Sequence, residues 1–155
     1  MDELIKYLNN IVQKLNYKYI MFNVVGSNRE IKDFMIELNT IEQLYNKGID
    51  ANRNFLGNYS PYTIIIKQAK GQPTNRVTLK DTGEFYESFY ATLLADGDIF
   101  IGANPLKKDE SGQITDLTIE WGKDIIGLTP ESMNKLTEKI LIEFDKYIRT
   151  NLFQI

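Results

Sequence analysis

Residues 90–103 read YATLLADGDIFIGA, and this stretch decides the fold class. Asp96-Gly97 is a tight-turn pair, because Gly97 takes a positive φ at no steric cost. Tyr90–Ala95 and Asp98–Ala103 flank the turn with the aromatic and β-branched residues that hairpin strands favour. Leu117–Trp121 alternates Leu, Thr, Ile, Glu and Trp and predicts a further strand of the same sheet. Tyr17–Val25, also rich in aromatic and β-branched residues, reads as another strand, ended by Gly26. Arg76–Lys80 is a short extended stretch.

Helices surround these segments. In 2–15, apolar residues at Leu4, Ile5, Leu8, Ile11, Val12 and Leu15 mark one face of an amphipathic helix, with Asp2 and Glu3 at its positive end. Ser27-Asn28-Arg29-Glu30 has the form of a capping box, with Ser27 as the cap and Glu30 reaching back. A helical stripe follows through Ile31, Phe34, Met35, Leu38, Ile41 and Leu44, and Gly48 is the expected left-handed stop. Ser60-Pro61 opens a short helix or turn to Lys70, although Ile64–Ile66 leaves a strand as a competitor. Thr82–Phe89 reads as a helical turn capped by Asp81 or Thr82. Thr129-Pro130 opens a long last helix, roughly 130–150, with a broad apolar face. Residues 49–60 and 104–116 lack any period and read as exposed loops, where partner contacts most naturally sit. The expectation is an α+β fold over 1–155 as a single domain: N-terminal helices, one small antiparallel sheet of about three to four strands, and a long C-terminal helix.

Composition narrows the chemistry. The 155 residues include no cysteine and no histidine. Thiolate metal sites, thiol nucleophiles and the commonest general base are therefore excluded. The net charge of −3 argues against a broad DNA-coating surface. The N-terminus has no apolar run of signal-peptide length, and no apolar stretch is long enough to span a membrane, so a cytoplasm-like compartment is expected.

Several clusters have a functional and a plainer reading. Asp81, Glu84 and Glu87 form a carboxylate group suited to acid–base or metal work, but a cap and a solvated turn need the same residues. Residues 109–116 lack the order of a calcium loop and read as a hydrated tip. No glycine pattern cradles phosphate, and no serine has a histidine to activate it. The expectation is a protein that is not an enzyme and has no metal or cofactor site. Tyr59, Tyr62, Phe85, Tyr86, Phe89, Tyr90 and Trp121 make an aromatic-rich middle. Core packing accounts for most of them, but Tyr59 and Tyr62, beside a loop, are candidate contact residues, as are Lys107 and Lys108.

The run Leu79-Lys80-Asp81-Thr82-Gly83-Glu84-Phe85-Tyr86-Glu87-Ser88-Phe89 resembles the L-x-x-T-G-x-L-x-x-S-I signature of tailed-phage tail-completion and virion-morphogenesis proteins. Trp121-Gly122 stands where that family has an aromatic-Gly pair, and Gly127-Leu128-Thr129 at its helix-opening turn. The order matches from about residue 28 to 153. Phe85 stands in place of the usual Leu, and a Pro-x-Arg-Pro-Phe run before the last helix is missing. The resemblance implies a structural virion protein forming a six- or twelve-fold ring of its own copies at the head–tail junction (neck) or in the tail. Its neighbours would be portal, neck or tail proteins, with DNA only passing through the lumen. It would be made in the host cytoplasm and reside in the virion. On this reading the motif is architecture: Thr82-Gly83 bends the chain, and Phe85 and Phe89 anchor the bend. A small soluble protein-binding module without symmetric assembly is the alternative.

Overall fold

In the computed structural model of the chain, which describes residues 2–14, 16–108 and 112–153, the Asp96-Gly97 turn closes the hairpin read from the sequence. β1 (Tyr90–Leu93) and β2 (Ile99–Gly102) run antiparallel, with Tyr90 opposite Gly102 and Leu93 opposite Ile99. Gly97 sits at φ +101, and the Asp98 amide donates to Asp96 Oδ1 at 3.1 Å. The Tyr90 ring lies so close over Gly102 that a Cβ there would come within 2.5 Å of it.

The sheet does not extend as expected. β3 (Leu106–Lys108) and β4 (Ile114–Asp116) form a second hairpin inside the segment read as a loop. The four strands thus fall into two separate two-stranded sheets within an α+β fold. Leu117–Trp121, read as a strand, is the helix α6. Asp116 caps it, its Oδ1 accepting from the Thr118 amide at 2.8 Å. The alternation was misleading because Leu117 and Trp121, four apart, also share a helical face. Ile119 between them is 85% exposed.

Tyr17–Val25 is likewise helical: α2 (Tyr17–Met21) widens into a π-helical turn over Phe22–Gly26. Asn16 starts it, Oδ1 accepting from the Lys18 amide at 3.0 Å. Ile20, Val24 and Val25 then reach the core at helical spacing, so tertiary packing overrides β propensity. α1 (Asp2–Lys14) precedes this turn, as its periodicity predicts; Leu15 lies outside the described residues.

α3 (Arg29–Glu37) continues into a π-helical stretch, Leu38–Lys47. Its cap is Asn28 and not Ser27: Asn28 Oδ1 accepts from the Ile31 amide at 3.3 Å, while the Ser27 hydroxyl donates back to Asn23 O. Gly48 ends the run at φ +63, and a Cβ there would lie 2.9 Å from the Val77 carbonyl oxygen. Gly48→Ala will therefore cost about 2 kcal/mol, from left-handed strain plus this contact, and lower Tm by about 6 °C in a thermal melt.

α4 (Pro61–Ala69) resolves the helix-or-strand choice; Ser60 Oγ accepts from the Thr63 amide at 3.2 Å. α5 is the single turn Glu84–Glu87. α7 (Pro130–Ile148) continues as a π-helical turn, Arg149–Phe153, and Thr129 caps it through the Ser132 amide at 3.2 Å.

Two apolar clusters hold these pieces. The first gathers Ile20, Val24, Val25, Ile31, Met35, Leu38 and Leu136. The second gathers Leu44, Phe85, Phe89, Leu117 and Ile125, and Ile101 of β2 touches both. The 49–60 segment is a loop, but it is tied down. Buried Asp50 accepts from the Asn52 and Asn54 amides at 2.9 and 2.8 Å, and Arg53 pairs with Glu131 of α7. Among the described residues, no helix is long and apolar enough to cross a membrane.

Candidate functional site

The site starts from an inversion in α4. Its buried residue is Lys67, 5% exposed, whereas Tyr62 and Ile65 are 74% and 68% exposed. An amine enters a protein interior only when its donors are satisfied. Lys67 Nζ donates to Gln72 Oε1 at 2.7 Å and to the Lys80 carbonyl, and it lies 5.3 Å from the centre of the Tyr59 ring. Burial pushes the Lys67 amine below its usual pKa. Gln72 Nε2 donates onward to Asp81 O at 3.1 Å. Lys67 and Gln72 thereby pin residues 80–81 against α4.

Two phenols fix the extended stretch before Asp81. The Thr78 amide donates to the Tyr59 hydroxyl at 2.8 Å, and the Tyr86 hydroxyl donates to Thr78 O at 2.5 Å. Burial, then the neighbouring Tyr59 and Tyr45, raise the Tyr86 pKa well above the ordinary phenol range, so it stays a donor. Lys80 Nζ lies 5.0 Å from the Tyr45 ring centre and 5.6 Å from that of Tyr86. Leu79 is held at φ +56, a left-handed conformation that a leucine adopts only under constraint.

Asp81 accepts from Lys70 Nζ at 2.6 Å and Lys107 Nζ at 2.9 Å. The Lys70 bond first, and the Lys107 bond next, pull its carboxyl down to about 2. Because the folded value lies below the ordinary 3.8, the stability Asp81 adds is complete above that pH and fades as pH falls toward 2. Discounted for partial exposure, it amounts to about 1 kcal/mol. Asp81→Asn will show that deficit in urea melts at pH 6, and the gap from the unsubstituted protein will narrow as pH falls through 3.8 toward 2.

These elements enclose a cleft of about 630 Å³ between the 56–60 segment, α4, the 77–81 stretch, β3 and α6. Leu56, Val77, Leu79, Leu117 and Trp121 give it apolar walls, and Lys67, Lys80, Asp81, Lys107 and Glu120 supply its charges. Lys67, Asp81 and Lys107 are engaged with their own neighbours, so the arrangement suits holding an apolar group over attacking a bond. Among the described residues, no three acidic side chains gather as a metal site would require. Residues 109–111 of the loop compared with a calcium site lie outside the described residues.

The residues singled out from the sequence divide among three places. Leu79 and Trp121 line the cleft. Thr82, Gly83, Phe85 and Ser88 build the bend beside it: Gly83 sits at φ +110, Phe85 is buried 5.0 Å from the Phe89 ring, and Ser88 Oγ donates to Phe85 O at 2.7 Å. Gly122 ends α6 at φ +82. Gly127 and Thr129, with Leu128 between them, belong to a buried clamp that sequence reasoning missed. Asn39 Nδ2 donates to Ile125 O at 3.2 Å, and Asn39 Oδ1 accepts from the Gly127 amide at 2.9 Å. Gln43 Nε2 donates to Gly127 O, and Gln43 Oε1 accepts from the Thr129 amide, both at 2.9 Å. Two amides four residues apart, and so on one face of an amphipathic helix, were the available signal. Of the candidate contact residues, Tyr62 and Lys108 are exposed. Tyr59 and Lys107 line the cleft but are tied inward, to Thr78 and Asp81.

Comparison with protein-family models, with curated proteins and with solved structures gave no match.

Proposed function

We propose that the chain is a structural subunit of a tailed bacteriophage, forming a ring at the head–tail junction or in the tail and acting in head–tail joining or tail completion. The observation that carries the reading is the inverted α4. It offers Tyr62 and Ile65 to solvent beside an apolar-walled cleft in which Asp81 and Lys107 pair with each other. Such a surface is suited to protein contact. The ordered resemblance over 79–89, 121–122 and 127–131 supplies the phage context.

On this reading the subunit works by contact and catalyses nothing. It closes a six- or twelve-fold ring with its own copies and abuts portal, neck or tail proteins. DNA meets it only in passing through the lumen. It resides in the neck or tail of the virion after synthesis in the host cytoplasm. Electron microscopy of assembled particles tests this: ring density attributable to the chain is the expected result, and its absence rejects the assignment. A stable monomer bound to one discrete partner, with no symmetric assembly, would make it a small protein-binding module instead.

A further inference from the structure

Resting on that ring reading, we infer that α1 of one copy lies in the cleft of the next, with its apolar face against the exposed side of α4. α1 is amphipathic, yet Leu4, Ile5, Leu8 and Val12 are each half or more exposed, and α2 is the element it meets most. A helix of this length is marginal in water unless its apolar face is packed. The cleft has what such a face needs. Its apolar walls enclose about 630 Å³, and Tyr62 and Ile65 extend the apolar surface outside it. Leu4, Leu8 and Val12, at i, i+4 and i+8, are spaced as the anchors of a helix laid in a groove.

Charge and placement favour a second copy as the occupant. α1 carries Glu3 and Lys6, and the cleft offers Lys80 to the first and Glu120 to the second. α2, the next element after α1, contributes Ile20 to the first apolar cluster, whereas Leu117 of the cleft belongs to the second. A contact joining two different parts of identical subunits is head-to-tail, the kind that closes rings. α1 is about 20 Å long, so one such contact buries less than the roughly 1,200–2,000 Å² of a stable pair. Free protein will therefore associate weakly, and ring closure, giving each copy two contacts, will stabilise it.

The chain has no cysteine, so disulfide trapping between introduced thiols is unambiguous. Leu8→Cys and Ile66→Cys both alter exposed side chains. When the two single variants of the full chain are mixed at high concentration and oxidised, the mixed dimer should exceed either homodimer by about tenfold. The double variant should give a ladder of multimers. Leu4→Cys with Ile65→Cys provides a second pair if one variant folds poorly, and Leu8→Cys with Leu141→Cys on α7 is the control.

Products confined to Leu8→Cys homodimers would mean a two-fold α1 pairing and overturn the inference. A cross-link within one chain, or no product above the control, would overturn it as well. Rings seen by microscopy without the mixed product reject this contact and leave the ring reading standing. A ladder without rings supports the contact and rejects the ring.

Discussion

Replacing Gln43 with leucine will remove about 3 kcal/mol of stability, although the two side chains are similar in bulk. The loss comes from the partners left behind. Gln43 is fully buried, and its amide satisfies both Gly127 O and the Thr129 amide. Without it, a carbonyl and an N–H remain desolvated and unpaired, at about 1–3 kcal/mol each. Urea denaturation followed by circular dichroism will show a lower midpoint with an unchanged slope. Asn39→Leu will behave similarly, since it strands Ile125 O and the Gly127 amide. The double variant will cost less than the sum of the two, because both amides grip the same residue, Gly127. A loss below about 1 kcal/mol for Gln43→Leu would mean that water replaces the clamp.

Phe85→Ala will cost about 4 kcal/mol, within the range for emptying a buried aromatic site. The Phe85 ring meets Phe89 edge-on at 5.0 Å and Tyr86 at 6.2 Å, inside the second apolar cluster. These contacts hold the Gly83 bend from beneath. By contrast, Thr82 is exposed, and its hydroxyl accepts a long bond, 3.4 Å, from the Glu84 amide. Thr82→Ala will therefore cost only about 0.5 kcal/mol. Phe85→Leu, which keeps an apolar side chain in the site, will cost under about 1.5 kcal/mol. Equilibrium denaturation of the three variants checks the ranking; equal losses for Thr82→Ala and Phe85→Ala would place the anchor of the bend in the wrong residue.

Local chemistry made part of this fold legible. The Gly97 turn, the Gly48 stop and the Ser60-Pro61 and Thr129-Pro130 starts each depend on a residue type with one dominant backbone use, and each stands where the sequence puts it. Legibility failed where two periods coincide or where polarity hides pairing. Leu117 and Trp121 fit both a strand and a helix, and the side-chain cap from Asp116 decided between them. β3 and β4 are three residues each, with one apolar residue apiece, Leu106 and Ile114, so no apolar alternation announces them. Ser27 and Asn28 are both good caps, and only the geometry selects the second. At the site, Leu79 and Trp121 were marked by the resemblance, and Tyr62 by its type. Lys67 was invisible: its burial depends on Gln72 and the Lys80 carbonyl, and no rule of spacing puts an amine inside while Ile65 stays in water.

The clamp also sets an order of events during synthesis. Asn39 and Gln43 meet their partners 84 to 88 residues further along the chain. Bringing such distant segments together costs about 4 kcal/mol of closure entropy beyond a fixed constant. A nascent chain leaving the ribosome therefore carries two unpaired amides on its second long helix until residue 129 has emerged. The N-terminal helices have no finished partner surface before then, and the fold closes in one late, cooperative event.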